Sequence, residues 1–453
     1  MCGRSRRMDD QQTDYATPVS PLADQNPVAT ISAILIAVFL LGTGTALQGT
    51  VIALRAGSEG FSDLAIGIIM SSYFSGFIAG SLLGVRFIGS VGYIRTFAGF
   101  ASIASAAALA HLLLVNPVSW IILRVVHGLC TATLLVVVES WLNTGSPARS
   151  RGKILSLYSL IYLASMGVGQ PLLALFPETG YELFVLVSIL VSISLVPVVL
   201  ANTGVPVIAE RRPLNIRRAF TASRFASLGI LVSGISAGAL WSIGPRFAQL
   251  SGLNSSQIGL FMLMISVGAL AAQAPLGFLS DRVDRRRVVL ISSGIGTCIA
   301  LVIALIASTD AATLSILGFV FGAFTMPLYS ICLAYANDQL ETSEMVAASG
   351  AYIIFYAIGS SAGPSLSGLA IGYMGPSGLF FLLSLCHGLF AVWSLLRLIA
   401  RPSVKLKHKE RFHPWPRTTA IAFRLIRKVN RGGKQHTDDP GIPAAATADP
   451  EPM

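Results

Sequence analysis

Charge is what this chain has least of. Only 12% of its 453 residues are charged against 53% hydrophobic, with a mean hydropathy of +0.71. That is more apolar chain than one water-soluble core can bury, so a soluble globular domain is excluded and a polytopic membrane protein is implied. Cysteine is sparse too. Of five, Cys2 lies in the polar N-terminal stretch while Cys130, Cys298, Cys332 and Cys386 fall inside apolar runs, which argues against a disulfide or metal framework. The six histidines form no cluster with acids, and no phosphate-binding glycine loop occurs. A metal site, a membrane-embedded enzyme and an ATP-driven pump are therefore disfavoured, and no cofactor is expected.

Long apolar runs are what the chain has instead. Twelve reach the roughly 20 residues needed to cross a hydrocarbon core of about 30 Å. Their cores are near 28–50, 64–86, 93–115, 117–142, 153–176, 181–201, 224–247, 256–279, 288–308, 311–336, 346–370 and 376–399. Continuous runs predict helices, because a membrane barrel would show short alternating strands. The first run is too long for a signal-peptide core.

Basic residues set the expected orientation. Of the 32 lysines and arginines, 28 lie in the N-terminal stretch, the even-numbered connections and the C-terminal stretch, whereas the odd-numbered connections hold only Arg55 and Arg246. The positive-inside rule then places both termini in the cytoplasm, with one dissenting connection, 337–344, that has neither Lys nor Arg. The net charge of +11 is spread along membrane edges facing anionic headgroups and follows no nucleic-acid-binding module.

The two halves repeat. An offset of 194 pairs Gly44 with Gly238, Gly128 with Gly322, Asn143 with Asn337, Tyr158 with Tyr352, Tyr162 with Tyr356 and Gly169 with Gly363. Six helices duplicated in the same orientation form two bundles about an axis along the membrane normal, with a cavity between them. The expected organisation is a tail over 1–27, a six-helix bundle over 28–201, a cytoplasmic linker over 202–223, a second bundle over 224–399 and a tail over 400–453. Within that last tail, 419–430 suits a short basic helix lying on the inner leaflet, and 432–453 has the composition of a disordered segment.

The segment Gly277-Phe-Leu-Ser-Asp281-Arg282-Val-Asp284-Arg285-Arg286 resembles the loop signature G-x-x-x-D-R-x-G-R-R of the major facilitator superfamily, with Asp284 where glycine is commoner. The first-half copy, Gly80 to Arg86 and on to Arg95, lacks the aspartate. Glu139-Ser-Trp-Leu-Asn143, the run from Gln273 to Arg282, and Leu328-Tyr329 through Ala336-Asn337-Asp338 are similar to the YcaD-like group of bacterial transporters in that superfamily. The resemblance covers about 28–399 and implies an all-α fold of twelve transmembrane helices in two pseudo-symmetric six-helix bundles, set in the bacterial inner membrane. It further implies a secondary transporter working by alternating access, with proton-coupled export expected. Nutrient uptake, facilitated diffusion and a non-transporting sensor are the alternatives. The implied partners are a small-molecule substrate, protons and the lipid bilayer, for a chain acting as a monomer.

Site expectations follow in three groups. Asp281, Arg282 and Arg285, together with Glu139, Asp338, Arg86 and Arg95, are candidates for a cytoplasmic gate; in the family such a network clamps the two halves. Arg286 and Arg287 are assigned to topology alone. Arg149 and Arg151 are further candidate partners for Glu139, since Arg124 lies about 22 Å away along the same helix. Arg124 matches the family's helix-4 pattern R-x-x-x-G and is a candidate for substrate or proton coupling, or else snorkels to the outer headgroups. His127, one turn on, could exchange protons or be a satisfied packing residue. The first run carries Gln48 and no acid, unlike drug:proton antiporters. Gln48, Tyr162, Gln170, Trp241, Gln273, Tyr329 and Tyr356 are candidates for the cavity wall. Gly169 with Pro171, and Gly363 with Pro364, are expected helix bends, in a glycine-proline pattern resembling the antiporter signature.

Overall fold

In hydrocarbon every backbone N–H and C=O must be satisfied within the segment, and helices are how this chain does it. The computed structural model describes residues 27–146, 150–200, 216–306, 310–339 and 345–400. Among the described residues, twelve helical spans are long and apolar enough to cross a membrane. The first six are Ala29–Ser58, Asp63–Val91, Tyr93–Leu113, Pro117–Asn143, Arg151–Leu175 and Glu182–Leu200. The second six are Arg224–Leu250, Ser255–Arg282, Arg285–Ile306, Ala311–Asn337, Ala351–Met374 and Gly378–Ala400. They are numbered spans 1 to 12 below. The expectations for both tails, for most of the linker and for Arg149 lie outside the described residues.

Local chemistry sets the span ends. Ser62 caps span 2 by accepting from Ala65 N at 3.3 Å, and Asn116 caps span 4 through Ser119 N at 2.9 Å with Pro117 in the first turn. Asn254 and Gln257 form a reciprocal capping box at the start of span 8. Two spans are broken where proline removes a donor. Span 5 is α-helical over Arg151–Val168 and continues as a 3-10 turn over Pro171–Leu175; span 10 splits into Ala311–Thr325 and Leu328–Asn337 around Pro327. Pro364 instead lies inside the uninterrupted helix Met345–Met374.

The sequence repeat has a packing counterpart. A Cβ on Gly128 in span 4 would stand 2.0 Å from the Tyr73 carbonyl oxygen of span 2, and one on Gly322 in span 10 would stand 2.3 Å from that of Ile265 in span 8. Backbones this close tolerate no side chain, so the paired glycines fix the same crossing in each half. Tyr158 and Tyr352, also related by the repeat, are both fully buried.

The halves meet mainly through spans 1 and 7, 2 and 11, and 5 and 8. A Cβ on Gly67, four residues into span 2, would come within 2.6 Å of the Pro364 oxygen of span 11. One turn deeper Ser71 and Ser365 share a hydrogen bond of 2.7 Å. These close approaches sit at the end of the bundle opposite the face carrying Arg86, Arg95, Arg151 and Arg282, called the basic face below.

Candidate functional site

A cavity of about 320 Å³ lies between the halves. Spans 1, 2, 4 and 5 wall it from one side and spans 7, 8 and 11 from the other. It begins at the level of Met70 and Gln170 and continues toward the basic face as far as Ser81, Leu82 and Leu160. The volume suits a small organic molecule.

Five of the seven expected wall residues line it, Tyr162, Gln170, Trp241, Gln273 and Tyr356, together with Arg124, the coupling candidate. The break at Gly169 and Pro171 carries Gln170 into the wall, where its Oε1 accepts from Thr50 Oγ1 at 2.7 Å. Gln273 donates to Ser330 Oγ at 3.1 Å. Tyr329 stands behind the wall, edge-on to Tyr356 with ring centroids 5.0 Å apart. Gln48 is fully buried outside the lining, and neither polar atom of its amide has a hydrogen-bond partner among the described residues. His127 is likewise fully buried and does not line the cavity.

Arg124 is the charged member of the lining. Only 3% of it is exposed, so it does not reach out to a headgroup layer. Its guanidinium carbon sits 4.5 Å from the centroid of the Tyr73 ring, a cation–π contact, and its buried Nε has no hydrogen-bond partner among the described residues. Tyr73, Phe74 and Phe77 of span 2 belong to the wall and were not among the expected residues. Their i and i+4 spacing was visible, yet aromatic pairs at that spacing also pack ordinary helices.

Among the described residues, the ion pairs seen at the basic face join residues of the same half. Arg285, 1% exposed, bonds Asp338 Oδ2 through Nε at 2.8 Å and Asp281 Oδ1 through Nη1 at 3.1 Å, and Ser280 Oγ accepts from Nη1 at 3.0 Å. Arg286 is buried as well. It reaches Asp284, which stands where the family signature has glycine, at 2.7 Å, and donates to the Arg397 carbonyl at 3.0 Å. Arg86, Arg95, Arg282 and Arg287 are exposed. Glu139, fully buried in span 4, accepts from Tyr158 Oη at 2.9 Å.

At the opposite face the polar contacts join the two halves. Arg246 of span 7 donates from Nε to Asp63 Oδ1 of span 2 at 2.9 Å, and from Nη1 to Gln249 at 2.7 Å. Ser255, opening span 8, donates to Glu178 between spans 5 and 6. Charge counting used Arg246 only for orientation. Its partner lies 183 residues away, which no local pattern announces.

The fold and the sequence both have known counterparts. The family model of the major facilitator superfamily matches residues 34–222 and 226–431. The chain belongs to the major facilitator superfamily. Within it, the chain is 27% identical over 354 residues to the uncharacterized MFS-type transporter YcaD of Shigella flexneri serotype 5b, covering 78% of this chain and 91% of that one. An uncharacterized MFS-type transporter of Enterobacter sp. (strain 638) is 26% identical over 357 residues with the same coverage. Among solved structures, the nucleoside transporter NupG aligns with a TM-score of 0.66 at 12% identity, over 83% of this chain and 99% of that one. A bacterial homologue of the human lysosomal transporter Spinster, inward-facing and occupied, aligns with a TM-score of 0.67 at 14% identity, over 85% and 99%. At those identities the likeness is one of fold. Among the described residues, no group of three His, Cys, Asp or Glu is placed to hold a metal ion. This superfamily member is thus a twelve-span membrane protein of the transporter class.

Proposed function

We propose that the protein is a secondary carrier, not an enzyme, that exports a small organic molecule in exchange for protons by rocking its two halves about the central cavity. The basic face is then cytoplasmic, the membrane is the bacterial inner membrane, and both termini lie in the cytoplasm. The observation carrying this reading is the cavity between the halves, continuing toward the basic face and closed at the other end by Asp63 with Arg246, Ser71 with Ser365, and the approach of Gly67 to Pro364. Rocking would open that end and bring the cytoplasmic ends of the spans together. The break at Gly169 and Pro171 supplies a hinge in span 5, and the glycine-proline pattern resembling that of antiporters, whose best copy here is Gly363-Pro364 in span 11, supports export. Glu139 and His127, ionisable at membrane depth, are the candidate proton carriers.

One observation favours facilitated diffusion as a second reading. No Asp, Glu or His is among the cavity's described lining residues, so a proton has no carboxylate or imidazole there to ride on. Proteoliposomes enclosing a pH-sensitive dye separate the two. Under an imposed proton gradient with pooled metabolites and antibiotics, coupled transport gives substrate-dependent dye changes in the wild type and none in Arg124→Ala. Counterflow of a labelled compound with no dye change would establish the facilitator and sink the coupling.

A further inference from the structure

The charge of the cavity wall selects among substrate classes, and the inference rests on reading that cavity as the transport site. Among the described lining residues, Arg124 is the only group charged at neutral pH; the rest are aliphatic, aromatic, hydroxyl or amide. A guanidinium at membrane depth is costly unless an anion meets it. The described structure gives Arg124 a ring face and no carboxylate: Tyr73 lies 4.5 Å away, and none of the ion pairs described includes Arg124. Glu139, the acid of the same span, is fifteen residues on, about 22 Å along the axis. His127, one turn away, could only add positive charge. The orphaned Nε is a donor already stripped of water.

Trp241 and Tyr356 wall the cavity from the other half, while Tyr162, Phe74 and Phe77 line it on the same side as this single cation. These surfaces take an apolar or aromatic body and offer no second positive charge. We propose that the cavity binds a small amphiphilic organic monoanion, its oxyanion headgroup on Arg124 and its ring or chain against Trp241 and Tyr356. A cation would meet like charge, a neutral polar compound would leave the arginine unmatched, and a polyanion would bring charge that nothing in the wall balances.

The test uses the full-length protein in phosphatidylcholine nanodiscs and three probes with one aromatic body: 2-naphthalenesulfonate, 2-naphthalenesulfonamide and 2-naphthylmethylammonium. Equilibrium dialysis should show the sulfonate binding about tenfold or more tighter than the sulfonamide, with the ammonium weakest. Arg124→Gln should level sulfonate and sulfonamide, while Arg124→Lys keeps part of the preference as a point charge without the planar fork. Sulfonamide or ammonium binding as tightly as the sulfonate in the wild type, no sulfonate binding, or a preference surviving in Arg124→Gln would each overturn the proposal. Displacement of the sulfonate by phosphatidylglycerol added to the discs would assign the site to a lipid headgroup and overturn the small-molecule assignment. Counterflow in proteoliposomes separates this proposal from the carrier reading. Binding of the sulfonate without its counterflow would sink the carrier and leave the anion site standing; counterflow of the neutral or cationic probe alone would do the reverse.

Discussion

Removing the Asp63 carboxylate should loosen the end of the bundle opposite the basic face. Asp63 and Arg246 meet at 2.9 Å across the two halves, and their side chains are 21% and 15% exposed. Two unit charges about 4 Å apart attract by roughly 4 kcal/mol at an effective dielectric of about 20. Desolvation and the fixing of two side chains take back much of this, leaving about 1–2 kcal/mol between the value of an exposed pair and the cost of breaking a buried one. Asp63→Asn should therefore shift the balance between closed and open forms of this face about five- to thirtyfold toward open. Spin labels at Leu64 and Tyr373, exposed residues on span 2 and span 11, report the separation by pulsed electron resonance in a background lacking the native cysteines. A longer-distance population should grow in Asp63→Asn and in Arg246→Gln, and the double variant should match either single one, because the pair is already gone. Unchanged distances in both single variants, or shifts that simply add in the double variant, would refute the role given to this ion pair.

Further consequences follow from the same contacts. Asp338→Asn strips the nearly fully buried Arg285 of one of its two carboxylates and should cost about 3–5 kcal/mol, seen as a large drop in melting temperature, whereas Arg282→Ala, at an exposed residue, should change it little. Equal effects would contradict the burial argument. Gly67→Val places atoms where the Pro364 oxygen stands and should move the spin-label distance toward the open form without unfolding the protein; an unchanged distance would mean that the approach is not needed for closure. Asp310 caps span 10 from outside the membrane, accepting from Thr313 N at 2.9 Å, and these hydrogen bonds hold its carboxyl below the usual aspartate range. Its contribution is present above the unfolded pKa and is lost as pH falls through the lower native one, so Asp310→Ala should lower the melting temperature at neutral pH and the difference should vanish in strong acid. A difference that persisted there would rule out the charged cap as its source.

Much of the architecture was legible because a membrane makes length and apolarity decisive, and the twelve runs correspond to the twelve spans. Their ends were harder to place. The first run was expected to stop near residue 50, but the helix continues to Ser58, through Ile52, Ala53 and Leu54 buried against the bundle and an Arg55–Glu59 pair at its end. The break at Pro327 escaped notice inside an apolar run, while Pro171, preceded by Gly167 and Gly169, did not. Counting charges treats each arginine as a label for one side of the membrane. It could not distinguish Arg286, buried on Asp284, from Arg287, exposed next to it, because local backbone geometry decides which side chain folds inward. The cavity residues were harder still, since a polar residue on a helix reads the same whether its face meets the opposite half or a neighbour in its own.

The polar contacts also divide in a way that suits a rocking carrier. Those at the basic face, Arg285 with Asp338 and Glu139 with Tyr158, both buried, and Arg286 with the half-buried Asp284, each join residues of one half. Breaking a pair of that kind costs several kcal/mol, so these ends can move only as rigid units. The contacts between halves at the opposite face are a part-exposed ion pair, serine hydrogen bonds and glycine backbones in van der Waals approach, each worth about 1 kcal/mol or a little more. A few such interactions sum to the differential affinity of an ordinary ligand for one conformation, and binding in the cavity can therefore release them. Stiffness within each half and weak closure between halves are what alternating access requires, and the placement of Asp63 and Arg246 on different halves supplies the second.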